Sequence, residues 1–326
     1  MRAWLERVWF GGARGGGWLI PFAALFGAAS ALRRHAYRIG LLPRVRIDRP
    51  VAVIGNLTVG GSGKTPLTVW LATELRARGL AVGIVSRGHG GASRGPLRVG
   101  PGTDPRLAGD EAVLLARRTG APVVVGRDRV AAARLLAAEV DLVLADDGLQ
   151  HYRLARDLEI VVVDGARRFG NGRLLPAGPL REPPARAAEA DFVIVNGGPA
   201  AGGEIAMSLR PGEVVALGSG ARCALAGFAG KQVHAVAGIG DPARFFATLR
   251  AAGLSPIEHP LADHAPLVPS DLEFGDALPV LMTEKDAVKC GGFPDRGRYW
   301  LEVSADIEPI AAERLLGRLV ALTKRS

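Results

Sequence analysis

Three consecutive pieces restrict this chain more than anything else in it: an apolar strand, VAVIG at 51–55, a glycine-rich turn, NLTVGGSGKT at 56–65, and an apolar helical pattern from 66 to 78. A strand feeding a helix through such a turn wraps backbone N–H groups around an anion and adds the positive end of the helix dipole. The backbone of Thr58, Val59, Gly60, Gly61, Ser62 and Gly63 forms the cradle. Lys64 then reaches the β- and γ-phosphates of a nucleotide, and the Thr65 hydroxyl ligates Mg²⁺. The first glycine of the G-x-x-x-x-G-K-[ST] pattern is replaced by Thr58, but the compact GGSGKT core keeps the part that encloses phosphate.

Further apolar runs follow at 81–86, 122–126, 141–147, 159–165 and 191–197, and helical patterns lie at 111–119 and 129–139. Val- and Ile-rich runs without polar alternation suit parallel strands covered on both faces. Their alternation with helices predicts a doubly wound, mostly parallel α/β sheet. A second series starts near 213, with a strand pattern at 231–240, a helix over 241–252 and a strand at 278–286; it predicts a smaller α/β lobe. The Gly- and Pro-rich stretch 197–213 reads as the connection. The expected organisation is an N-terminal arm (1–49), a phosphate-loop domain (50–212) and a C-terminal lobe (213–326) closing over the site. The strand at 141–147 ends in Asp146 and Asp147, and one of them holds Mg²⁺ directly or through water. Two aspartates at a strand end also suit a helix cap; the phosphate loop beside them favours the ion.

Charge is unevenly placed. Nine Arg face two acidic residues in 1–49, a local +7 within a total of +9, so the other 277 residues carry only +2. That excludes a basic body built to track nucleic acid. Fifteen uncharged residues, WLIPFAALFGAASAL at 18–32, precede Arg33, Arg34 and Arg38. As a helix they extend roughly 22 Å, short of a hydrocarbon core of ~30 Å. Aromatic and basic residues together predict an amphipathic helix lying on a membrane surface, with a helix capping the protein's own core as the alternative. Two cysteines, Cys223 and Cys290, make neither a disulfide framework nor a zinc-finger spacing.

Other segments stand out: SRGHGG at 86–91, GDE at 109–111, DDGLQH at 146–151, LLPAGPLRE at 174–182, ADH at 262–264 and TEKDAVK at 283–289. With the phosphate loop and in this order, over nearly the whole chain, they resemble the tetraacyldisaccharide 4'-kinase family of lipid A biosynthesis. His89 stands where that family usually has Tyr. The resemblance implies transfer of the ATP γ-phosphoryl group to the 4'-hydroxyl of tetraacyldisaccharide 1-phosphate. It also implies two lobes flanking a cleft and a peripheral or monotopic position at the cytoplasmic face of the bacterial inner membrane. No obligate protein partner is implied.

Residue by residue, the resemblance makes Asp110 the base that takes the hydroxyl proton and His264 its orienting partner, with Lys64 on the γ-phosphate. Gln150, His151 and Glu182 match residues around Mg²⁺ and the phosphates, and Arg181 is a further phosphate contact. Each has a plainer role open to it: Asp110 as a helix cap, His264 as a surface or core histidine, His151 as a partner for a strand-end carbonyl. Lys285 and Asp286 fit a structural ion pair as well as a substrate-phosphate contact. A different class, a membrane-associated regulatory ATPase, often carries Lys just before the Gly-Gly pair; here that residue is Val59.

Overall fold

Runs of Val, Ile and Leu that are apolar at every position stay buried only when both faces of a sheet are covered. The chain, seen in a computed structural model that describes residues 2–12, 15–294 and 296–324, follows that rule. Arg14 of the basic arm lies outside the described residues. Two helices come first, α1 (Arg2–Phe10) and α2 (Ile20–Arg38). Then follow β1 (Val51–Gly55), α3 (Lys64–Ala77), β2 (Val82–Ser86), β3 (Leu97–Val99), the single turn α4 (Pro105–Ala108) and α5 (Asp110–Thr119). Next come β4 (Val123–Val125), α6 (Arg129–Ala137), β5 (Leu142–Asp146), β6 (Leu158–Asp164) and β7 (Phe192–Asn196). The later part contains β8 (Ile205–Ala216), β9 (Arg222–Ala224), β10 (Gln232–Ala237), α7 (Pro242–Ala251) and β11 (Ser255–Pro260). It ends with β12 (Val280–Thr283), α8 (Glu284–Lys289), β13 (Arg298–Ile307) and α9 (Pro309–Thr323).

All strands join one sheet, in the order β11-β10-β12-β13-β8-β7-β6-β1-β5-β2-β4-β3, with β9 beside β8. From β7 through β6, β1, β5 and β2 to β4 the pairing is parallel, and β3 closes the edge antiparallel. β10, β11, β12 and β13 are again mutually parallel. The two groups meet at the antiparallel β8–β13 pair. Thus the segment read as a connection contains a strand. Its Pro-Gly pair suggested a break, yet Pro211 sits where the β8–β13 register shifts, a place where a missing N–H costs little. Residue 212 lies inside β8, which pairs with β7 on one side and β13 on the other.

One face of the first group packs α3 and α5 against Ile54, Leu142 and Leu144; the other packs α6 and the segments around Leu149 and Leu180. Helix α9, which the sequence pattern left unassigned, crosses back to the first face. Leu315, Leu316 and Leu319 join the cluster of Leu67, Leu71 and Leu75. Burying such a side chain stabilises by about 1.5–3 kcal/mol.

The arm is docked rather than trailing. The Trp9 indole N–H donates to the Pro176 carbonyl at 3.0 Å, and the Asn171 N–H donates to the Trp9 carbonyl at 2.8 Å. Leu19 and Ala23 pack on Leu174 and Ala177. Arg34 pairs with Glu189 and lies 3.8 Å from Glu182, so part of the basic charge faces inward. Ala23 and Ala36 of α2 face the body while Phe22, Leu25 and Leu32 face out. Among the described residues no helix is long and apolar enough to cross a membrane.

If α9 belongs to the first core, Leu315→Ala, at a position with 0% exposure, lowers unfolding stability in urea by about 2–5 kcal/mol. A loss below about 1 kcal/mol would contradict that packing.

Candidate functional site

The turn after β1 folds as a cradle because of a left-handed glycine. Gly63 has φ +94°, and a Cβ there would overlap the Asn196 side chain. Asn196, at the end of β7, uses that closeness: its amide donates to the Ser62 carbonyl at 3.1 Å and accepts from Arg244 of α7 at 3.0 Å. From the other side the Gly238–Gly240 turn after β10 approaches so closely that a Cβ on Gly240 would lie 2.7 Å from the Gly61 nitrogen. Two glycine turns on separate strands therefore face each other.

At the end of β5 the aspartates divide. Asp146 is buried; its Oδ1 accepts from the Thr68 hydroxyl at 3.0 Å, and its Oδ2 has no hydrogen-bond partner. Burial first, then the negative charges of Glu111 and Asp147, pushes its carboxyl up to about 7. A buried carboxylate oxygen without a partner, beside a phosphate cradle, suits a divalent cation or a water bound to one. Asp147 takes a left-handed φ of 49°, which aims its carboxylate back at the cradle: 3.5 Å from Lys64 Nζ and 3.4 Å from Arg181. Burial would raise this carboxyl, but Lys64, Arg181 and Arg129 overcome it and hold it below its ordinary value. Among the described residues no three His, Cys, Asp or Glu side chains cluster as a metal cage. Mg²⁺ needs none, because it keeps waters and phosphate oxygens beside one or two carboxylates.

Asp110 opens α5 and is 5% exposed. Both of its oxygens lie 3.1 Å from His264 Nδ1. His264, like Asp147, has a left-handed φ, 61°, and its imidazole rather than the Asp110 carboxylate lines the cleft. The hydrogen bond to Asp110 raises the imidazole's proton affinity, against burial and Lys285. For Asp110, burial pulls upward, and His264, Lys285 and Lys289 together bring the carboxyl below its usual value.

The cradle and the His264 imidazole border one cleft of about 540 Å³, whose walls include Lys64, Thr65, Asp147, Arg181, Glu111 and Lys285. Its walls also include the apolar Val69, Leu209, Phe245 and Leu301. Seven of the expected site residues sit outside its wall: Thr58, Val59, Asp110, Asp146, Gln150, His151 and Glu182. Gln150 donates from its amide to the Asn56 carbonyl at 3.2 Å and accepts from Arg181 at 3.5 Å. His151 is half-buried, its Nε2 lacks a partner, and burial with Arg129 and Arg156 brings its proton affinity down to about 4. Glu182 is buried, accepting from the Tyr152 hydroxyl at 2.6 Å with Arg186 at 3.6 Å, while its Oε1 has no partner.

Asn196, Arg244 and Gly240 were not singled out from the sequence. The only signal was their place: Asn196 and Gly240 lie at the ends of predicted strand runs and Arg244 in the helix that follows the second, where ligands of α/β sheets gather.

Comparison with known proteins agrees with this geometry. A family model described as tetraacyldisaccharide-1-P 4'-kinase matches residues 17–320. A tetraacyldisaccharide 4'-kinase from Alkalilimnicola ehrlichii is 54% identical over 312 residues, covering 94% of each chain. One from Methylobacillus flagellatus is 47% identical over 329 residues, covering 99% of this chain and 97% of the relative. A crystal structure of LpxK from Aquifex aeolicus in complex with ATP superposes with a TM-score of 0.79 at 28% identity, over 94% of this chain and 99% of that one.

Asn196→Ala removes a buried hydrogen bond behind the phosphate turn, worth about 1–2 kcal/mol, and so weakens nucleotide binding about 5- to 30-fold in a fluorescence titration. Unchanged affinity would mean that the turn holds its shape without this latch.

Proposed function

The chain belongs to the tetraacyldisaccharide 4'-kinase family, and on that premise we propose that it transfers the γ-phosphoryl group of ATP to the 4'-hydroxyl of tetraacyldisaccharide 1-phosphate in lipid A biosynthesis. One observation supports this most: a phosphate cradle and the imidazole of a histidine–carboxylate pair border a single cleft. A switch ATPase has no use for such a pair facing its nucleotide, and Val59 stands where that class often places Lys.

The turn from Gly60 to Gly63 holds the β- and γ-phosphates through its N–H groups, the Val59 N–H being taken up by the Pro179 carbonyl at 2.9 Å, with Lys64 neutralising charge that builds on the γ-oxygens. Thr65 with Asp146 and Asp147 would hold Mg²⁺, which when bound would offset negative charge on the phosphates. Gln150 and Arg181 brace Asp147, while His151 and Glu182 each keep one buried polar atom without a partner.

A sugar hydroxyl attacks phosphorus poorly unless its proton is taken as the new bond forms. The sequence suggested Asp110 for that task. The geometry favours the reverse order within the pair: His264 Nε2 takes the proton, and Asp110, behind it, holds the Nδ1 proton and stabilises the cation that forms. The phosphate loop, the sugar and the imidazole then lie in line across the cleft, and the walls limit competing attack by water.

A lipid with four acyl chains does not leave a bilayer freely, so the enzyme meets it at the membrane. Eight of the twelve large apolar side chains exposed among the described residues lie between Trp18 and Leu41, with Leu25 70% and Leu41 75% exposed. Burying them in an interface contributes about 1.5–3 kcal/mol each. This supports a peripheral or monotopic position at the cytoplasmic face of the inner membrane.

The decisive assay follows label from γ-labelled ATP into a disaccharide-1-phosphate lipid: label at the 4' oxygen is expected, and hydrolysis without any transfer would refute the reading. Asp110→Asn removes the charge that raises the imidazole, so the acidic limb of the rate profile moves to lower pH while kcat falls ~10²-fold or more. A limb that moves upward would refute the assigned order. Replacing Phe22, Leu25 and Leu32 together by Ser cuts co-sedimentation with anionic vesicles at least about 10-fold; unaltered sedimentation would remove α2 from the membrane contact.

A further inference from the structure

The TEKDAVK segment is not accounted for by the reading above. Thr283 caps α8 through its hydroxyl, and Asp286, 0% exposed, ties α8 to the Gly238 N–H at 2.8 Å. That anchoring sends two lysines toward the histidine–carboxylate pair. Lys289 Nζ lies 2.9 Å from Asp286 and 3.8 Å from Asp110. Lys285 Nζ lies 3.2 Å from His264 Nε2, 3.0 Å from Asp263 and 3.1 Å from Glu111.

We propose that Lys285 is a positioning residue that fixes the His264 imidazole with its proton on Nδ1 and its Nε2 lone pair facing the cleft, ready for the substrate hydroxyl. This rests on the reading of His264 as proton acceptor. An ammonium has three protons and no lone pair, so at 3.2 Å Nε2 is the acceptor and carries no proton. The Nδ1 proton then goes to Asp110, the arrangement the pair needs. Without the ammonium, Nε2 would be free to take a proton early, and a doubly protonated imidazole cannot act as a base. Glu111 of α5 and Asp263 hold the ammonium in place and draw it to their side when the sugar hydroxyl displaces it from Nε2.

The groups facing the imidazole are all accounted for. Asp110 of α5 raises its proton affinity and Asp263 of its own loop acts in the same sense. Lys285 of α8 opposes them, and Lys289 bears on it through Asp110. The His89 ring of the 86–91 loop stands edge-on with centroids 4.9 Å apart. Of these, Lys285 is the cation directly on Nε2.

The test uses the full-length enzyme with ATP and the lipid acceptor. In Lys285→Met the acidic limb of kcat/KM moves up by about one pH unit, an ~10-fold loss at pH values below the limb that is recovered on its alkaline side, with KM for ATP unchanged. Lys285→Arg keeps the limb near its parental position. Long-range ¹H–¹⁵N spectra of the parent, which need no variant, show His264 with a protonated Nδ1 and a bare Nε2. A limb that stays in place while the rate falls at every pH would overturn the proposal, as would a proton on Nε2 in the parent. Failure of the underlying reading looks different: His264→Gln then retains both parental rate and parental acidic limb, whatever Lys285 does.

Discussion

The fold and the chemistry both depend on how closely two pieces of backbone can approach an anion. Gly63 takes a left-handed conformation against Asn196, and Gly240 faces Gly61 with no room for a side chain between them. Those approaches turn two strand ends of one sheet into the walls of a cleft. Carboxylates on the neighbouring strand end, Asp146 and Asp147, then fall beside the cradle without further adjustment, because β1 and β5 pair in parallel register.

Much of the phosphate-loop half was legible. β1, α3, β2, β5, β6 and β7 lie within a residue or two of the apolar runs that predicted them, since a strand buried on both faces writes its burial at every position. The strands of the second half were harder to read. β8 carries Pro211 and Gly212 in its interior, accommodated by a bulge in β8 itself, where the three steps from Val214 to Pro211 face the two steps from Leu301 to Val303, and a Pro-Gly pair reads locally as a turn. β11, at the edge, reads SPIEHP, with neither alternation nor a continuous apolar run. Helix α9 has a clear amphipathic pattern, yet nothing in it says that its apolar face returns to α3 rather than to its own lobe.

The site shows the same division. Residue types and motif order pointed to Asp110, His264, Lys64 and the aspartate pair, because that chemistry needs those groups. What no spacing conveys is the facing of side chains 154 residues apart: Asp110 lies behind, with the imidazole between it and the cleft. The same holds for Arg244, which reaches from α7 to Asn196 and joins the second half of the sheet to the phosphate turn. Charge followed the pattern too. The arm's excess of Arg was visible at once, but Arg34 spends its charge on Glu189 and Glu182, and it is the large apolar side chains of α2 that remain unmatched at the surface.

In this account a single displacement carries phosphorus from the cradle to the sugar oxygen, with no protein group accepting it on the way. The stereochemistry at phosphorus measures that directly, using ATP made chiral at the γ-position with oxygen isotopes. One in-line transfer inverts the configuration in the 4'-phosphate of the product. Retention would mean two displacements through a phosphorylated side chain, and would contradict the direct meeting of nucleotide and acceptor in the cleft.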